Sequence, residues 1–377
     1  MSRKLKEWDI LDFPETIYVK IKDNFRKKLF NQLYEKFGSK RKTAKYLNIN
    51  LRTLLNYERG FSIKYKIKYS QSIPLKLLKK IIDSKNKFKL EKNILAISVR
   101  AGLEIKKLKL PLKETPKLYS IIGHMIADGC QAKSHPPYYA NSDKTLREKF
   151  IEKLSLFGNF RTREIKTKTT SIIEFPKAIS DIIQHLFDFQ ITHPNRIPKL
   201  IFSSSKECKS SFTGALFDDD GSFSKEPNLT IHNLNLIKQV KELLENLDIK
   251  TNKIVIFKYG YKKDKVSLPL SSRSLENFHN TIPIECPHKK LSMEYKIKIR
   301  NRKERTRNPI LLKKEILKIL KDKPSKTLEI ANSLLFTHGG AIRHLNKLEK
   351  EGIIQKNGYK NKIIWSVNQG LIQDISQ

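Results

Sequence analysis

Two short stretches hold the residues best suited to chemistry. Phe212 to Phe223 reads FTGALFDDDGSF and Ile121 to Cys130 reads IIGHMIADGC. Each is about two apolar helical turns with a small residue inside, Gly123 in one and Ala215 in the other, and each ends in Asp-Gly. The terminal acids, Asp128 and Asp220, are 92 residues apart. Small residues at 123 and 215 let two helix backbones approach closely, which brings the two C-termini and their acids together. Carboxylates side by side at the negative ends of two helix dipoles raise each other's pKa or melt the helix ends unless a cation lies between them. Oxygen-only ligands completed by water and phosphate suit Mg²⁺.

The elements that must position these acids repeat as well. Asn141 follows Asp128 by thirteen residues, and Asn233 follows Asp220 by thirteen. Helical patterns come next (LREKFIEKLSLFG and LIKQVKELLENLDI), then strand-like runs (SIIEF and SLPLS), short helices (ISDIIQHLF and LENFHNTI) and a proline-basic stretch. In the last of these, HPNR puts Arg196 two residues after Pro194, and CPHK puts Lys289 two after Pro287. A register held this long predicts two α+β repeats related by a pseudo-twofold axis.

The motifs IIGHMIADG and TGALFDDDG resemble the two motifs of a single-chain LAGLIDADG homing endonuclease, over about Leu118 to Ser292. The resemblance implies motif helices packed at the domain centre, a saddle-like antiparallel sheet from each repeat in the DNA major groove, and Mg²⁺-dependent cleavage of both strands with staggered ends. It makes Asp128 and Asp220 the metal ligands and leaves Asp218 and Asp219 facing solvent or backbone. It also implies a basic or amide residue in each half near the scissile phosphate; Lys289 and Arg196 fit best, with Lys290 in reserve. Departures are Ile126 at an often acidic position, His124 for an apolar residue and Ala215 for glycine. None removes a ligand.

With 76 Lys+Arg against 38 Asp+Glu, the chain carries a net charge of +38. Such a charge repels itself in a compact monomer and is suited to releasing counterions from a polyanion, so double-stranded DNA is the expected partner. No apolar run approaches the ~20 residues of a membrane span. The start, MSRKLKEWDILDF, is not a signal peptide, and a cytoplasmic, nucleoid-associated monomer is expected. Cys130, Cys208 and Cys286 are scattered, which predicts buried small hydrophobes rather than a disulfide or cysteine-based zinc site. Met1 and the ending QDISQ lack the terminal residues that protein splicing needs, so an intein is not expected.

Four regions are expected: an α-helical helix-turn-helix region over 1–100, a first repeat over 101–208, a second over 209–300, and a basic linker with a winged-helix domain over 301–377. In the first, Ala44 and Leu47 share a face, a turn falls at Asn48-Ile49, and Asn50 caps a helix presenting Arg52, Thr53, Asn56 and Arg59 outward. Lys289 to Arg307 reads as a basic connector with nine Lys or Arg, able to lie along a DNA backbone. Beyond it, three helical patterns precede a hairpin signal at Asn357-Gly358. Asn141, Asn233 and Arg343 join the expected DNA contacts. The rival functions are a non-cleaving transcription regulator on the same scaffold and an intron RNA maturase. Retention of both motif acids favours cleavage over the first, and two DNA-type flanking modules argue against the second.

Overall fold

A computed structural model of the chain describes residues 5–60, 72–82, 86–100, 102–131, 135–192, 194–223, 226–259, 262–300, 309–336, 338–358 and 363–368. At its centre one α+β unit occurs twice. The first unit runs helix Pro116–Ala127, strands Gly129–Cys130 and Tyr138–Asn141, helix Lys144–Leu154, strands Arg163–Lys166 and Ser171–Glu174, and helix Lys177–Phe187. The second runs helix Lys206–Asp220, strands Gly221–Ser222 and Asn228–Ile231, helix Leu234–Glu245, strands Val255–Tyr259 and Lys262–Pro269, and helix Leu275–Thr281. Both four-stranded sheets are antiparallel and share one order, first, second, fourth, third.

Among the described residues, the two motif helices, Pro116–Ala127 and Lys206–Asp220, make the most extensive helix–helix contact. Each is started by a side-chain cap: Thr115 Oγ1 accepts from the Leu118 N–H, and Ser205 Oγ accepts from the Cys208 N–H. Gly123 is what permits the close crossing. A Cβ there would lie 2.5 Å from the Phe212 carbonyl oxygen and 2.7 Å from the Ala215 Cβ, so any larger residue forces the helices apart.

The N-terminal region is not purely helical. Helices Asp23–Phe37, Lys40–Leu47 and Leu51–Arg59 follow one another, with Asn48 in the left-handed region at φ 55° and the Asn50 side chain accepting from the Thr53 N–H. They are joined by a four-stranded antiparallel sheet in the order Ile73–Pro74, Ile17–Ile21, Ile94–Val99, Ile105–Lys106. Nor is this region separate. Its core is continuous with that of the repeats, from Trp8 to Met293. The Trp8 ring lies 5.6 Å from that of Phe187, Glu7–Trp8 pairs with Leu112–Lys113, and Lys106 exchanges backbone hydrogen bonds with Asn159.

The expected connector is also different. Its first part belongs to a helix, Pro287–Arg300, which buries Met293 against the second repeat; Arg302, Lys303, Arg305 and Arg307 lie outside the described residues. Helices Pro309–Asp322, Thr327–Leu334 and His338–Lys350 then pack with strands Ser325–Lys326, Ile364–Val367 and Ile354–Asn357 around a second core that includes Leu312, Ile316, Leu345 and Trp365. Asn357 pairs with Ile364, and residues 359–362 between them lie outside the described residues. Among the described residues, no helix is long and apolar enough to cross a membrane.

Candidate active site

The motif helices end together, and four acids gather there. Asp128 caps the first helix: its N–H donates to the His124 carbonyl, and its own carbonyl accepts from the Ala140 N–H. Asp220 is the last residue of the second helix and lines a cleft of about 610 Å³ with Ile126, Asn233 and Lys265. Burial first, then neighbouring acids, pushes Asp128 and Asp220 each up to about 7. For Asp128 the neighbour is Asp219, and for Asp220 it is Asp128 and then Asp219.

Asp218 and Asp219 do not face solvent. Asp218 is buried and accepts from the backbone N–H groups of Glu285 and Cys286 at 2.8 to 3.0 Å, which fixes the approach of helix Pro287–Arg300. Burial pushes its carboxyl up to about 6 against those bonds. The Asp219 side chain is wholly enclosed, and three groups donate to it: Tyr139 Oη at 2.6 Å, His124 Nδ1 at 2.9 Å and Asn141 Nδ2 at 3.0 Å. Even so, burial pushes it up to about 8. Asp218 thus meets the backbone as expected, whereas Asp219 faces neither solvent nor backbone, because which side of a helix end is covered depends on how the partner helix crosses it, and a run of three acids does not state that angle.

The protonation of His124 follows from its neighbours. Lys153 Nζ lies 3.3 Å from His124 Nε2 and can only donate, so Nε2 accepts and Nδ1 carries the proton given to Asp219. Burial, reinforced by Lys153, pushes the imidazole down to about 3, so it is neutral at physiological pH. Lys153 also donates to Ser120 Oγ at 2.8 Å and pairs with Glu285. A buried polar chain therefore runs from Glu285 through Lys153 and His124 to Asp219.

Of the two cations expected beside the acids, Lys289 is there. Its Nζ lies 2.5 Å from the Asp218 carbonyl oxygen and 3.0 and 3.2 Å from those of Asp219 and Phe217, covering the negative end of the second motif helix. Its charge lowers Asp128, Asp219 and Asp220. Arg196 is instead taken by Asp188, donating to that residue's carbonyl at 2.8 Å and its carboxylate at 2.6 Å. Lys153 is the first repeat's cation near the acids. It was hidden in the sequence as one more lysine on an amphipathic helix.

The expected DNA contacts divide. Arg52, Arg59 and Arg343 are exposed, Thr53 is half-buried, and Asn56 is half-buried with its Oδ1 enclosed and without a partner among the described residues. Asn141 is committed inward: Nδ2 lies 3.0 Å from Asp219 and 3.4 Å from Asp128, and Oδ1 accepts from the Asp143 N–H. Asn233 caps helix Leu234–Glu245 and donates to the Pro194 carbonyl. The two asparagines are not structural counterparts, since Asn141 ends its strand as Ile231 does and the helix cap that matches Asn233 is Asp143, and neither keeps a free amide for a base edge.

Residues 207–283, which span most of the second motif helix and its sheet, match the family model of the LAGLIDADG-like domain. That match lies within the second repeat. Among curated proteins, two probable translation initiation factors IF-2 are similar to the chain. One, from Methanocaldococcus jannaschii, is 29% identical over 201 residues, 48% of this chain and 16% of that protein. The other, from Thermococcus kodakarensis, is 27% identical over 214 residues, 54% of this chain and 18% of that protein. The chain thus spans only a small part of the length of either relative. Among solved structures, I-DmoI in complex with DNA and calcium shows 14% identity at a TM-score of 0.34, covering 44% of this chain and 88% of that one. Full-length DUF199/WhiA from Thermatoga maritima shows 12% identity at a TM-score of 0.36, covering 63% of this chain and 90% of that one.

Proposed function

We propose that the chain is a site-specific, homing-type DNA endonuclease that hydrolyses one phosphodiester in each strand of a duplex. The observation that carries this reading is the convergence of Asp128 and Asp220, from two different repeats, at one half-buried point of a chain with net charge +38. Carboxylates held up to about 7 by burial and by neighbouring acids, only partly offset by Lys289, call for more positive charge, and a divalent cation is the group that fits them. Their oxygen-only character suits Mg²⁺. Once bound between Asp128 and Asp220, such a cation would supply Lewis-acid stabilisation of phosphate charge and a more acidic water.

The chain's own residues do the rest. Lys289 sets a fixed positive charge at the helix end, where the charge developing on a scissile phosphate would fall. Asn141 and the neutral His124 hold Asp219, so the acids keep one arrangement rather than swinging apart. Exposed Arg52, Arg59 and Arg343, on the two flanking regions, would grip the backbone on either side of the cut. In this reading helices Lys40–Leu47 and Leu51–Arg59 act as a helix-turn-helix, and the unit around Trp365 as a winged helix.

Incubating the protein with a library of random duplexes, with Mg²⁺ or with EDTA, tests the proposal. Sequencing should show metal-dependent double-strand ends at a defined site with a constant stagger. Binding should weaken by roughly 0.9 log unit per phosphate contact per log unit of salt. A stable sequence-specific footprint without any cut would instead make the chain a regulator.

A further inference from the structure

We propose a second metal site, for a zinc-like transition cation, formed by Asp143 of the first repeat with Cys286 and His288 at the start of helix Pro287–Arg300. Cys286 Sγ lies 3.1 Å from His288 Nδ1 and 3.7 Å from Asp143 Oδ2, and Nδ1 lies 3.6 Å from that oxygen. Around a tetrahedral ion with bonds of about 2.0 to 2.3 Å, neighbouring donor atoms stand about 3.3 to 3.8 Å apart. The three atoms therefore already have nearly the spacing of three corners of such a shell. Thiolate, imidazole and carboxylate together suit Zn²⁺, whereas the oxygen-only pair Asp128 and Asp220 suits Mg²⁺.

The surroundings fit a site with one open position. Cys286 is buried, the Asp143 side chain is 20% exposed and that of His288 is 69% exposed, so the cluster is closed toward the protein and open toward water. Asp143 is oriented by its other oxygen, Oδ1, which accepts from the Leu146 N–H at 3.1 Å and leaves Oδ2 to the cluster. Burial pushes the Cys286 thiol up to about 11, and the Lys289 N–H, which points to the sulfur, offsets this only in part. A bound ion would tie the two repeats together one residue from Lys289, whose amine covers the helix end beside the acids. It would fix the start of the helix that delivers this charge. The inference does not depend on DNA cleavage.

Titrating EDTA-treated full-length protein with Co²⁺ in buffer containing excess Mg²⁺ tests it. One equivalent should produce a thiolate-to-cobalt charge-transfer band with tetrahedral ligand-field absorption, and one equivalent of Zn²⁺ should remove it. Cys286→Ser, checked for folding by circular dichroism, should abolish the band. His288→Ala, which leaves the buried thiol in place, should abolish the tetrahedral absorption. The double variant Asp128→Asn, Asp220→Asn should keep both signals. Absence of a thiolate band in the wild-type protein, or a band that survives Cys286→Ser, overturns the proposal.

Discussion

The two repeats share a frame but not a chemistry. Sheet order, helix order and the positions of Asp128 and Asp220 correspond. By structural register, though, His124 corresponds to Leu216, Tyr139 to Leu229 and Lys153 to Leu243, while Ile126 and Ala127 correspond to Asp218 and Asp219. The first repeat thus supplies the donors and the second supplies the buried acid that receives them. Duplication fixed the placement of one acid per helix end. The network around them joins the halves across the interface, so neither half can hold the site alone.

Breaking this inequality should show most clearly at Lys153. Lys153→Met leaves Glu285 and His124 without their buried cation and should cost about 3 kcal/mol. At the corresponding buried position of the second repeat, Leu243→Met, an apolar swap of similar volume, should cost less than about 1.5 kcal/mol. Urea denaturation of the two variants measures the contrast. Equal effects would mean that the halves are energetically equivalent.

A smaller effect should appear with pH. Asp128, Asp218, Asp219 and Asp220 have folded pKa values of about 6 to 8, raised from 3.8 chiefly by burial. The folded state therefore holds more protons than the unfolded chain over this interval. This stabilisation is complete below about pH 4 and is lost as pH rises through 6 to 8. Without divalent metal, the thermal midpoint should accordingly fall between pH 6 and pH 8. Mg²⁺ should offset the fall, since it binds the ionised form, and the double variant Asp128→Asn, Asp220→Asn should flatten it. Calorimetry across that interval, with EDTA or Mg²⁺, checks the sign.

The sequence shows the frame because the register of the two motif helices survives in residue spacing, although it slips at the hairpin that follows them. Asp128, Asp220 and Lys289 could be found that way, as could the three helices around Asn48. What it concealed depends on packing. The enclosure of Asp219 follows from the crossing at Gly123, and the role of Lys153 from which helix face meets His124. The N-terminal sheet joins Ile17–Ile21, which alternates locally, to Ile94–Val99 far along the chain, so no local signal announces the pairing. Helix Pro287–Arg300 was masked by its own basic composition, in which a packed face is reduced to a few residues such as Met293.

The central claim is that one acid from each repeat is required for the same reaction. It is tested most directly by measuring duplex cleavage in Mg²⁺ by wild type, Asp128→Asn and Asp220→Asn, with DNA affinity measured in parallel without metal. Each substitution should lower double-strand cleavage by about three orders of magnitude. Affinity should hold or rise, because a negative charge facing the phosphates is gone. Cleavage at the wild-type rate by either variant would contradict the account.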